Sequence, residues 1–281
     1  MTLRLKPSPI RPSPVSREIP NREPQLVNLI SGFADISLAQ LVLVACVALF
    51  ASVIGGLAGY GTGALMPLVL VPLIGAEPVV PIIAISSIFT NLSRFAAYLR
   101  YADRRRALIV IMAATLTTAL GAYGYTRLSN AGAALVIGAM LISSVPLRRL
   151  LKRHDVRIGD TGLGLGAVGY GVVVGGTSGS GVILLSLLMA AGLEGAAVIS
   201  TDAVVSLVTS VIKISVFGLA GVVTAQVLAF ALLIGAVALP GAFFARIFVE
   251  HMPVHIHTAI LDAAVITGGV VMMSSAARSL F

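Results

Sequence analysis

Gly55-Gly56-Leu57-Ala58-Gly59-Tyr60-Gly61-Thr62-Gly63 interrupts a long apolar run, and Gly175-Gly176-Thr177-Ser178-Gly179-Ser180-Gly181 does the same later in the chain. Glycine permits backbone conformations and close approaches that other residues do not. In lipid, non-helical backbone survives only where protein buries it or where it lines a wet cavity. Interrupted apolar segments at corresponding places of two halves are the best sequence pointer to a transporter's substrate site. The two stretches therefore imply two repeats, each with its chemistry near a glycine break.

The composition says what surrounds those breaks. The chain has 281 residues, is 58% hydrophobic and only 11% charged, where soluble domains carry roughly 25% charged residues. That balance predicts a polytopic membrane protein and leaves no stretch for a separate soluble domain. The net charge of +8 is no sign of nucleic-acid binding. The basic residues cluster at the ends of apolar runs, as cytoplasmic loops do, where the lipid bilayer's anionic headgroups are their partners. The single cysteine, Cys46, rules out an intramolecular disulfide.

Outward from the breaks, four regions follow. Residues 1–37 hold Pro7, Pro9, Pro12, Pro14, Pro20 and Pro24 among several arginines, a mixture that cannot bury a core and predicts a disordered cytoplasmic tail. Residues 38–147 form the first transmembrane repeat, with apolar runs at 38–58, 79–99, 107–126 and 131–147 and a short piece at 64–75 after the first break. Residues 148–160, with Arg148, Arg149, Lys152, Arg153 and Arg157, form a basic linker. Residues 161–281 form the second repeat, with runs at 161–174, 196–217, 222–248 and 257–277 and a short piece at 182–191. The offset between copies is about 117–120 residues, and a repeat of this kind constrains architecture more than any single segment.

The fold expected is an all-α polytopic membrane protein of two homologous repeats, each of four spanning helices plus a short re-entrant piece. This places the N-terminus, the 100–106 cluster, the 148–157 cluster and Arg278 on the cytoplasmic side of a cell inner membrane. The alternative is five spans in each half, with inverted repeats.

Charges inside spans are costly and functional by default. Arg94 and Lys213 occupy nearly equivalent places in the two halves, which suits an anion site between them, the guanidinium as a fork and the ammonium as a point charge. Both also lie within snorkelling reach of the interface. Asp202, after Ser200 and Thr201, suits a pairing with Lys213, a proton relay or a helix cap. Asn91 and Thr201 belong to the polar runs of the two spans, with Ser86, Ser87, Thr90, Ser93, Ser206, Thr209 and Ser210. Helices that begin after the breaks would offer free N–H groups and a positive dipole end to an anion, from Gly61, Thr62 and Gly63 in one half and Gly179, Ser180 and Gly181 in the other. His251, His255 and His257 read as an interfacial loop rather than a metal site. No catalytic constellation or cofactor motif is present, so no enzyme activity, metal or cofactor is expected.

Gly59-Tyr60-Gly61-Thr62-Gly63 and Thr177-Ser178-Gly179-Ser180-Gly181, with Ser200-Thr201-Asp202-Ala203-Val204-Val205, the run from Lys213 to Gly221, and Pro240-Gly241-Ala242-Phe243-Phe244-Ala245-Arg246, resemble the sulfite exporter TauE/SafE family of membrane permeases over about residues 40–280. The chain keeps Pro67 but has Ser186 where that pattern would place a second proline. The resemblance implies a secondary transporter, and an exporter, of a small sulfur-containing anion such as sulfite or an organosulfonate. Another organic anion, or a passive anion channel, is the alternative, and a homodimer is compatible with either.

Overall fold

A computed structural model describes residues 31–34, 36–58, 61–153, 157–241 and 254–280. Among them the chain forms ten α-helices and no strand. The first five are α1 (Leu38–Ala58), α2 (Gly61–Ile74), α3 (Val79–Tyr98), α4 (Arg104–Tyr125) and α5 (Asn130–Arg153). The second five are α6 (Asp160–Gly176), α7 (Gly181–Ala190), α8 (Gly195–Leu219), α9 (Ala225–Ala238) and α10 (Val254–Leu280). Among the described residues, α3, α4, α5 and α8 contain apolar windows long enough to cross a membrane, and α1, α2, α7, α9 and α10 contain shorter apolar stretches.

The breaks are narrower than the glycine stretches. Gly55 and Gly56 continue α1, and Gly175 and Gly176 close α6. The second break is Thr177–Ser180: Thr177 is extended at φ −140°, and Gly179 takes φ +79°, a left-handed conformation that suits glycine. Pro67 then falls four residues into α2 after Gly63, so the Gly63 carbonyl lacks its usual helical donor.

Several boundaries differ from expectation. Residues 31–37 are not all tail: Ser31–Phe33 form a 3₁₀ turn, and the Phe33 ring meets Phe230 of α9 edge-on at 5.2 Å. Residues 1–30 lie outside the described residues. The first part of the basic linker is helical, since α5 runs to Arg153. His255 and His257 belong to α10 rather than to a loop, and His251 is outside the described residues.

Small residues set how closely the helices approach, as in other membrane bundles. Gly171 and Gly175 of α6 lie directly on α4, where an added Cβ would strike Ala114 and Thr117 in one case and Thr118 and Ala122 in the other. Gly138 of α5 and Gly269 of α10 meet likewise, each position's Cβ falling 3.0 Å from the other's carbonyl oxygen.

The helix pairings of the first half recur in the second with the halves exchanged. α4 packs on α6 and α8, and α9 packs on α1 and α3; α5 touches α7, and α10 touches α2. α3 pairs with α8 and α5 with α10. α3 and α8 run antiparallel, because Ser87 meets Ser210 while Arg94, seven residues further on, meets Asp202, eight residues back. The same reversal holds for α5 and α10, where Gly138 faces Met272 and Met273 while Ile142 faces Gly269. Among the described residues, many of the buried polar side chains lie on α3 and α8, beside two apolar clusters.

Candidate functional site

The ends of the two glycine breaks meet beside the α3–α8 seam. A Cβ on Gly63 would lie 2.8 Å from the Gly179 nitrogen and 3.1 Å from its Cα, so the two backbones touch with no room for a side chain between them. Around this contact lies a cavity of about 110 Å³; a water takes roughly 10–15 Å³ by the same measure, so one small polyatomic ion fits.

Nine of the residues expected from sequence line it: Arg94, Asn91, Lys213, Gly61, Thr62, Gly63, Gly179, Ser180 and Gly181. Thr201 and Asp202 do not. The Thr201 hydroxyl accepts the Asp103 backbone N–H at 3.0 Å and so ties the start of α4 to α8. Asp202 is wholly buried behind Arg94.

Neither cation snorkels. Arg94 is 5% exposed, and its Nη1 donates to Asn91 Oδ1 at 3.1 Å and its Nη2 to Asp202 Oδ2 at 2.7 Å. Lys213 is equally buried, and its Nζ donates to the Thr177 carbonyl at 3.1 Å. The expected pairing of Asp202 with Lys213 is therefore replaced by one with Arg94. Asp202 and Lys213 are eleven residues apart on one helix, about 16 Å along its axis, whereas the antiparallel register sets Asp202 opposite Arg94. Nor does Asp202 cap α8, which begins at Gly195 with Glu194 as its N-cap. Along the seam Arg94 and Lys213 enter the cavity from opposite ends.

The donors left for an anion can be counted. Thr90, Thr177, Thr209 and Ser52 border the cavity, yet each hydroxyl donates to a carbonyl of its own helix, three or four residues back. Ser87 and Ser210 share one bond of 2.7 Å with each other. Ser178 Oγ and Arg94 Nε are buried and have no hydrogen-bond partner. Arg94, Lys213 and the starts of α2 and α7 line the cavity, and among the described residues no carboxylate lines it. Two buried cations are costly without a counter-charge, so this cavity favours a negatively charged guest.

Ser52 and Tyr170 are lining residues that the sequence reading missed, and Ser178 was read only as part of its motif. Tyr170 is an aromatic within a run otherwise made of glycine and small apolar residues, which is the one signal it offered.

A family model described as sulfite exporter TauE/SafE matches residues 44–272. The chain belongs to the TauE/SafE sulfite exporter family. The match begins in α1, ends in α10 and contains every residue that lines the cavity. Searches of curated proteins and of solved structures gave no match. As a TauE/SafE protein the chain is a multi-pass membrane transporter rather than an enzyme, in a family that moves sulfite and related anions. The small anionic cargo and the lipid surroundings expected from sequence follow from that membership.

Proposed function

We propose that this chain is a secondary transporter that exports a small sulfur-containing anion, such as sulfite or an organosulfonate, across the cell inner membrane, and that the α3–α8 cavity is its substrate site. The observation that carries the reading is that Arg94 and Lys213, one from each half, are buried on one cavity together with the starts of α2 and α7. A sulfur oxyanion presents several acceptor oxygens on one centre. Arg94 offers a guanidinium charge, Lys213 a point charge, and residues 61–63 and 180–181 the positive ends of two helices.

Residues 38–147 and 161–281 act as the two halves, joined by residues 148–160. The antiparallel course of α3 against α8, and of α5 against α10, supports inverted repeats with five segments each. Repeats that entered the membrane in the same direction would set these equivalent helices parallel. Rocking of one half against the other about the α3–α8 seam then exposes the cavity to each side in turn.

Counterflow in proteoliposomes tests the reading. A preloaded anion should drive uptake of labelled sulfite or methanesulfonate; Lys213→Gln should abolish it, as should Arg94→Gln, which leaves Asp202 buried without its counter-charge. Flux without counterflow would identify a passive channel. Stronger competition by simple carboxylates than by sulfite or methanesulfonate would move the assignment to another organic anion.

A further inference from the structure

On the anion-site reading just given, we propose that Asp202 determines the charge of the cargo. Paired behind Arg94, it cancels one of two cations and leaves a cavity matched to a monoanion.

The charges are few enough to count. Arg94 and Lys213 are the charged residues among those lining the cavity. Asp202 stands behind Arg94, 2.7 Å from it and wholly buried. The other charged groups near this end of α8 are satisfied elsewhere: Asp103, at the start of α4, holds the Arg106 side chain at 2.9 Å and its backbone N–H at 3.0 Å. Tyr170, facing from α6, is a neutral phenol, and Asp262 sits on α10, which packs against α5 and α2. With Lys213 as an ammonium, the empty site carries a net charge of about +1, and an unbalanced charge in a water-poor interior is strongly disfavoured.

A monoanion brings that sum to zero, and a dianion overshoots it. Alkanesulfonates with no second ionised group are monoanions. Sulfite near neutral pH exists as hydrogensulfite and as the dianion, and this site takes the first. Inorganic sulfate, of similar size and oxygen arrangement but doubly charged, is rejected. Arg94 keeps its grip on Asp202 and Asn91 through its two terminal nitrogens, so the acid acts without leaving its place.

The test is binding to the purified full-length chain near neutral pH, with methanesulfonate as a permanent monoanion and sulfate as a permanent dianion. Wild type should prefer methanesulfonate by about tenfold or more in Kd. Asp202→Asn, which raises the site by one positive charge, should reverse the preference. Asp202→Glu should keep it. Combining Arg94→Gln with Asp202→Asn restores the original sum and should return the preference to the monoanion. A wild type that favours sulfate, or an Asp202→Asn protein with the wild-type ratio, overturns the proposal. Should Asp202→Asn alone not fold, the wild-type ratio and the double variant decide. Lys213→Gln separates the two readings. If it leaves both anions bound as before, the cavity is not the site and both readings fall; if it abolishes binding while Asp202→Asn leaves the ratio unchanged, only the role of Asp202 falls.

Discussion

Gly63 and Gly179 meet backbone to backbone, and a side chain on Gly63 would land 2.8 Å from the Gly179 nitrogen. The obstacle is main chain, which cannot rotate away as a side chain can. Gly63→Ala should therefore push the start of α2 off the second break and cut transport at least tenfold, with a loss of about 1–3 kcal/mol of stability. Gly124→Ala is the matched control, since nothing lies within 4 Å of its Cβ position. Uptake rates and thermal unfolding of the two variants check this.

The turn between α2 and α3 is held from two sides. Asn130 Oδ1 accepts the Ala76 N–H at 2.5 Å, and the Tyr125 hydroxyl donates to the Ala76 carbonyl at 2.6 Å. Asn130→Ala leaves a buried N–H unpartnered and should cost about 1–3 kcal/mol. Because the turn is remote from the cavity, the KM for the anion should stay within about twofold of wild type, while the unfolding temperature falls.

Asp103 caps α4 by accepting the Arg106 N–H at 3.0 Å. That bond, with the Arg106 guanidinium, holds its carboxyl below the usual carboxylate range. A depressed carboxylate stabilises the fold above its unfolded-state value and loses that contribution as pH falls through the folded one. Stability should thus drop on acidification through and below the ordinary aspartate range. Asp103→Ala should flatten that segment of a stability–pH curve and cost about 1 kcal/mol near neutral pH.

Topology separates the two span arrangements. Three helices lie between the N-terminal segment and the 100–106 cluster, and two more lead on to residues 154–157. If all of them count as crossings, the N-terminal segment lies opposite both basic loops. With α2 turning back, all three share one side. Impermeant labelling of single cysteines, in a chain whose Cys46 is replaced by serine, distinguishes the cases. The antiparallel α3–α8 pairing predicts opposite sides.

The sequence by itself determined the membrane class, the order of the apolar segments, the two breaks, the family, and nine of the residues that line the cavity. These are local or compositional properties: an apolar run, a glycine cluster or an isolated cation reads the same whatever it later touches. Tertiary structure alone decided which faces meet. Helices that are apolar all round carry no stripe to mark their inner side, so nothing local showed that α8 reverses against α3. That reversal puts Asp202 opposite Arg94 instead of leaving it to Lys213, joins Ser87 to Ser210, and brings Tyr170 to the cavity wall. It rests on close approach at small residues, such as Gly175 on Thr118 and Gly63 on Gly179. Which glycines serve such contacts is a property of pairs of helices distant in the chain.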